Sequence, residues 1–111
     1  MPKRSYLGDF EFMVLLAVLR LGQDSYGVPI SREIELQSGR EVAFGTVYAA
    51  LERLEAKGLV TSELGEPTSE RGGRAKRYFH VTKSGLREVR EARRALMNLW
   101  RGLSELEGGR A

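Results

Sequence analysis

The chain has 111 residues, 41% of them hydrophobic and 30% charged, with a formal net charge of +3; this suits one compact domain plus an appended element and excludes a disordered chain. No apolar run approaches the roughly 20 residues of a membrane span, because Leu15–Leu21 is too short and carries Arg20. With no cysteine there is no disulfide framework and no thiolate metal site, and Met1-Pro2-Lys3-Arg4-Ser5-Tyr6 lacks the apolar stretch of a secretion signal, so the expectation is a cytoplasmic protein outside any membrane.

The first helix is predicted from about Asp9 to Leu21, with Asp9 as cap and Gly22 as stop. Phe12, Leu15, Leu16 and Leu19 recur at three- and four-residue spacing, with Met13 and Val18 beside them, which predicts a largely buried scaffold helix. Ser25 is expected to cap a second helix, Tyr26 to Gln37, with Pro29 tolerated in its first turn and Gly39 past its end. After a short polar turn, Ser38 to Glu41, a third helix runs from Phe44 or Gly45 to Lys57. Val47, Ala50, Leu51 and Leu54 mark its buried stripe, while Thr46, Ala49, Glu52 and Arg53 fall on other faces. Helix, short turn, helix is helix-turn-helix logic.

Two strands follow. Val60, Ser62 and Leu64 alternate with Thr61 and Glu63, and Phe79 and Val81 alternate with Tyr78 and His80. The loop between them holds Pro67, Gly72 and Gly73, and Arg71, Arg74, Lys76 and Arg77 fall close together with no acid among them. Such a cationic hairpin tracks a phosphate backbone. The Gly72-Gly73 pair lacks the Lys-Ser/Thr ending of a nucleotide-binding P-loop.

Thr82 is placed to cap a last helix that the pattern carries to about Leu106, before Gly108-Gly109. Val89, Ala92, Leu96, Leu99, Leu103 and Leu106 alternate spacings of three and four, the seam of a coiled coil, with Leu86 and Trp100 widening it. A helix this apolar, added to a domain that already has its core helices, seeks a second copy of the chain. Val89, Leu96, Leu99, Trp100 and Leu103 are therefore the expected homodimer contacts. The fold expected is mainly α with some β: three helices and a two-stranded wing in residues 1–82, then a dimerisation helix and short tail in 83–111.

A helix beside a basic hairpin can set one element in a DNA groove and the other along the phosphates. Tyr48, next to Thr46 at a helix N-terminus, can bond a phosphate through its hydroxyl or pack between helices. Arg53 can read guanine with both arms or pair with Glu52 and Glu55. Arg74, Lys76 and Arg77 are expected on phosphates. The single histidine, His80, reads as a strand-face residue, so neither a metal site nor a cofactor is expected. Without a nucleophile–base pattern no enzyme is expected either. The competing class is an adaptor whose winged domain docks a protein in place of DNA.

Several of these residues also carry a resemblance. Ser25-Tyr26-Gly27, Gly45-Thr46-Val47-Tyr48, the run Leu51 to Val60, Gly73-Arg74-Ala75-Lys76-Arg77-Tyr78-Phe79 and Val81-Thr82 follow one another as they do in PadR-like transcriptional regulators, particularly short members with one C-terminal helix. The chain resembles that family from about Leu7 to Leu106. It departs from the usual pattern at Val47, Ala49, Ala75 and Phe79, where the family often has Leu, Pro, Pro and Tyr. The resemblance implies a winged helix-turn-helix homodimer that controls transcription, as a repressor, from a pseudo-palindromic double-stranded DNA site. It also implies that Thr46, Tyr48 and Arg53 face DNA while the wing arginines touch phosphate or minor groove. Some relatives hold flat aromatic ligands between subunits, so Trp100, with Met97 nearby, is the expected effector site or else part of the dimer core.

Overall fold

The computed structural model describes residues 7–66 and 75–106. Arg71, Arg74 and the glycine pair of the loop, the Lys3 and Arg4 cluster, and Gly108-Gly109 lie outside the described residues. Element order is α1 (Asp9–Leu21), a 3-10 turn (Gly22–Asp24), α2 (Gly27–Ser38), α3 (Phe44–Ala56), β1 (Val60–Leu64), β2 (Arg77–Val81) and α4 (Lys83–Trp100). The three helices and the antiparallel β1–β2 pair are the winged arrangement expected from the sequence.

Gly8, rather than Asp9, caps α1, and Asp9 and Glu11 place negative charge in its first turn where the helix dipole favours it. The inward face is also different from the expected stripe. Val14, Leu15, Ala17 and Val18 are buried, whereas Leu16 and Leu19 stay 40% and 42% exposed. A helix apolar on nearly every side gives periodicity no polar face to set its phase. Packing against α2, α3 and β2 sets it instead.

Ile30 and Ile34 of α2, Val47, Ala50, Leu51 and Leu54 of α3, Leu59, Val60 and Phe79 complete the core. The Glu35 carboxylate accepts from the Val42 amide at 2.9 Å, tying the turn between α2 and α3 back to α2. At the end of α3, Gly58 takes φ +78, its N–H bonds Glu55 O, and the Leu59 N–H bonds Leu54 O at 2.9 Å. These two bonds close the last turn and direct the chain straight into β1.

The strands register Val60 with Val81, Ser62 with Phe79 and Leu64 with Arg77. The free edge of β2 is also occupied. The Phe79 N–H donates to Ser25 O at 2.8 Å, Tyr26 bridges Tyr78, and the fully buried Ser25 hydroxyl lies 2.7 Å from Phe79 O and 2.8 Å from Gly22 O. Ser25 therefore anchors the wing rather than capping α2, whose N-cap is Tyr26 with no side-chain bond.

Thr82 caps α4 as expected: its hydroxyl accepts from the Gly85 amide at 3.0 Å and donates to Gly58 O at 2.7 Å. Gly85 lies so close to Leu59 that a Cβ there would stand 2.3 Å from its carbonyl oxygen. The root of α4 is thus built into the winged core, and Val89 packs on that core as well. The helix stops at Trp100, not near Leu106: Arg101 is extended and Gly102 takes φ +86. Leu103 and Leu106 continue the spacing in sequence but lie in turns beyond the helix. No helix among the described residues is long and apolar enough to cross a membrane.

Candidate nucleic-acid interface

Three of the expected residues, Tyr48, Lys76 and Arg77, meet at one open cleft, about 480 Å³, between the N-termini of α2 and α3 and the root of the wing; Thr46 and Arg53 do not line it. Tyr26, Gly27, Phe44 and Tyr48 line it from the helices, and Ala75, Lys76 and Arg77 from the wing. Neither helix carries a side-chain cap; Pro29 has no N–H and the Thr46 amide bonds Ala43 O, so the first-turn amides left for other acceptors are those of Gly27 and Val28 in α2 and Phe44 and Gly45 in α3. These amides and the two cations give the cleft positive character beside an apolar lining that includes Val28 and Leu64.

Tyr48 is the joint between helix and wing. Its half-buried ring meets Phe79 edge-on at 6.2 Å and Phe44 at 5.9 Å, and its hydroxyl accepts from Arg77 Nη1 at 3.3 Å. Arg77 Nε donates to Ser62 Oγ at 3.0 Å, and Ser62 donates to Glu55 Oε2 at 2.8 Å. The Tyr48 hydroxyl first, then the charges of Glu55 and Glu52, raise the Arg77 pKa further above its usual value. The packing reading of Tyr48 holds for its ring, and its hydroxyl is engaged by Arg77 at the edge of the cleft.

Lys76 lies with Nζ 4.8 Å from the centre of the Tyr26 ring, and Tyr26 meets Tyr78 edge-on at 5.3 Å. This aromatic shelf holds the cation beside the start of α2. Thr46 is exposed in the first turn of α3, with Gly45 and Ala49 beside it, so that face of α3 is small and open. Arg74 falls outside the described residues.

Arg53 is engaged elsewhere. Its Nε donates to Glu11 Oε2 at 3.2 Å while Lys57 Nζ donates to Glu11 Oε1 at 2.9 Å. Neither Glu52 nor Glu55 is its partner, although the guanidinium side chain remains 55% exposed. Burial pushes the Glu11 carboxyl up, but hydrogen bonds from Lys57 and Arg53, the Lys57 charge and the Gly8 backbone outweigh it and hold the carboxyl below its ordinary value. Tyr26, Phe44, Tyr78 and Glu11 are the residues that sequence reasoning did not assign to this face or its support. The aromatic residue directly after Lys76 and Arg77 is a signal that points to Tyr78; nothing local in the sequence marks Tyr26, Phe44 or Glu11.

Met97 and Trp100, the expected effector residues, lie on the projecting half of α4, 40% and 47% exposed. Met97 lines an open cleft of about 300 Å³ with Arg90, Arg93, Arg94, Asn98 and Arg101, and Trp100 lies outside it. Of the expected dimer contacts, Leu96, Leu99 and Trp100 are exposed on α4, Leu103 is exposed beyond its end, and Val89 is taken up by the chain's own core. A second exposed apolar surface lies between α1 and α2, where Met13, Leu16, Leu19 and Ile34 line a groove of about 570 Å³.

The profile of the transcriptional regulator PadR-like family matches residues 15–91. Transcriptional regulator Rv3488 of Mycobacterium tuberculosis is 36% identical over 100 residues, covering 88% of this chain and 86% of the relative. The crystal structure of a PadR family transcriptional regulator from Eggerthella lenta superposes with a TM-score of 0.65 at 26% identity, covering 88% of this chain and 83% of that one. A transcriptional regulator from Clostridium thermocellum shares the fold with a TM-score of 0.68 at 24% identity, over 81% and 82% of the two chains.

Proposed function

The chain belongs to the PadR-like family of transcriptional regulators, and from that premise we propose that it binds double-stranded DNA as a homodimer and represses transcription by occupying an inverted-repeat operator. The observation that carries this reading is the cleft where two uncapped helix N-termini meet Lys76 and Arg77. In this reading α3 enters the major groove by its open Thr46 face, and the Tyr48 hydroxyl and the first-turn amides take phosphate oxygens at the groove edge. Lys76 and Arg77 run along the phosphate backbone, a role also assigned to Arg74 from the sequence. Arg53 turns from Glu11 to a guanine edge or stays as the strut between α1 and α3.

The dimer is supported by two exposed apolar surfaces on one chain. Leu96, Leu99 and Trp100 of α4 in one copy fit the α1–α2 groove of the other, and the exchange is reciprocal, as a two-fold contact requires. Two copies of α3 then address successive major grooves about 34 Å apart. An effector held at Trp100 would sit where the two copies meet and would change the spacing of the α3 helices, whereas Met97 lines the separate arginine cleft. Selection from random duplex DNA tests the reading. The expected product is an inverted repeat with half-sites one helical turn apart; recovery of no enriched sequence, with equal retention of all duplexes, contradicts it.

A further inference from the structure

α4 carries a second cationic surface that the wing does not explain. Lys83, Arg87, Arg90 and Arg94 follow one another at spacings of four, three and four residues, which sets them in one stripe along the helix, and Arg101, just past its end, lines one cleft with Arg90 and Arg94. All of them are exposed. Of the acids on this helix, Glu88 falls on another face and Glu91 at the margin of the stripe. Among the described residues, Arg87, Arg90, Arg93 and Arg94 have no carboxylate within ion-pair distance, and Arg101 bonds only the Asn98 side chain, at 3.1 Å. The stripe also lies away from the apolar face of Val89, Ala92, Leu96 and Leu99, so pairing of that face leaves the arginines open to solvent.

Three further points identify the occupant. The chain as a whole is only +3, so this density of cations is a local feature and not a consequence of a basic protein. Four of these five residues are arginine, whose planar fork matches phosphate oxygens better than an ammonium does. The stripe starts at Lys83, past the end of β2 opposite to Arg77, where Thr82 bonds Gly58 O beside the C-terminus of α3. At 1.5 Å per residue, Lys83 to Arg94 spans about 16 Å, the axial length of about five phosphates on one strand.

We propose that the α4 arginine stripe is a second duplex-DNA surface, which holds the phosphates of the DNA flanking the segment gripped by α3 and the wing. This rests on the reading of the chain as a duplex-DNA binder. The stripe gives affinity for longer duplexes and carries no base sequence information.

The test uses the full chain and the duplex recovered by selection, at its minimal length and extended by about 10 base pairs on each side. The native chain should bind the extended duplex about tenfold more tightly near 0.1 M salt, with a salt slope steeper by about 2–4. Arg87→Gln, Arg90→Gln, Arg94→Gln and Arg101→Gln combined should bind the minimal duplex like the native chain and show no gain on extension. The corresponding lysine variant, which keeps the charge, should retain most of that slope. No gain on extension by the native chain, a full gain by the glutamine variant, equal weakening on both lengths, or capture of a second separate duplex would each overturn the stripe's role. Failure of the native chain to bind either duplex would instead remove the DNA reading itself.

Discussion

Glu11 is the residue on which most depends for its size. It is nearly buried, with Arg53 on one carboxylate oxygen and Lys57 on the other, so it fastens α1 to the C-terminal half of α3. Because both partners are partly exposed, the pair is worth less than a fully buried one, and Glu11→Gln should cost about 1–2 kcal/mol at neutral pH. The sign of the pH dependence follows from the lowered folded-state pKa. The contribution is complete above the ordinary value of 4.5 and vanishes as pH falls through the lower folded value. Urea unfolding from pH 7 downwards should therefore show a clear difference between the two proteins that shrinks progressively once the pH falls below 4.5; a difference that stays constant over that descent would refute the ionic role. Ser25 makes a second prediction at this scale. Ser25→Ala leaves the buried Phe79 carbonyl short of a donor and should destabilise the fold by about 1–3 kcal/mol, read as a lowered midpoint in the same titration. An unchanged midpoint would mean that the backbone bonds alone hold the wing.

At the scale of elements, α4 is the test case, because its two ends obey different rules. Its first turn is locked by Thr82 and by the close approach of Gly85 to the Leu59 carbonyl. Gly85→Ala should raise helix propensity yet lower stability, by about 1–3 kcal/mol through overpacking; thermal unfolding followed by circular dichroism reads the sign, and a higher midpoint would show that α4 does not press on the wing. Local signals were legible where they are strong. The extent of α1, the αL glycine after α2, the Gly58 ending of α3 and the Thr82 cap all follow from side chains within a turn of the feature. What was not legible depends on distant partners or on phase. The spacing of Leu103 and Leu106 carries the helical pattern past Gly102, although the chain breaks at Arg101 and Gly102. Ser25 looks like a helix cap because its real partner, Phe79, is 54 residues away. Arg53 reads from the sequence either as a guanine contact or as a partner of Glu52 and Glu55, while its partner in the fold, Glu11, lies 42 residues upstream. The site followed the same rule: the order of Thr46, Tyr48, Lys76 and Arg77 was readable, but the aromatic shelf of Tyr26 and Tyr78 under Lys76 required the fold.

At the scale of the molecule, the described residues present three surfaces: an aromatic and cationic cleft at the helix–wing junction, an apolar pair formed by the α1–α2 groove and the outer half of α4, and the arginine stripe. Replacing the apolar side chains with Leu96→Ser, Leu99→Ser and Trp100→Ser should give a folded monomer by sedimentation, with DNA affinity lowered because each half-site is then bound alone. A dimer that survives these changes would assign self-association to another face. The cleft carries the central claim, and the measurement closest to it is duplex-DNA affinity across a range of salt concentrations for the native chain and for Lys76→Gln combined with Arg77→Gln. The account predicts that the variant binds every duplex more weakly and that its salt slope is shallower by about 2 per protomer, because two cations no longer neutralise phosphates. Equal slopes for the two proteins, or affinity of the native chain that does not fall with salt, would contradict it.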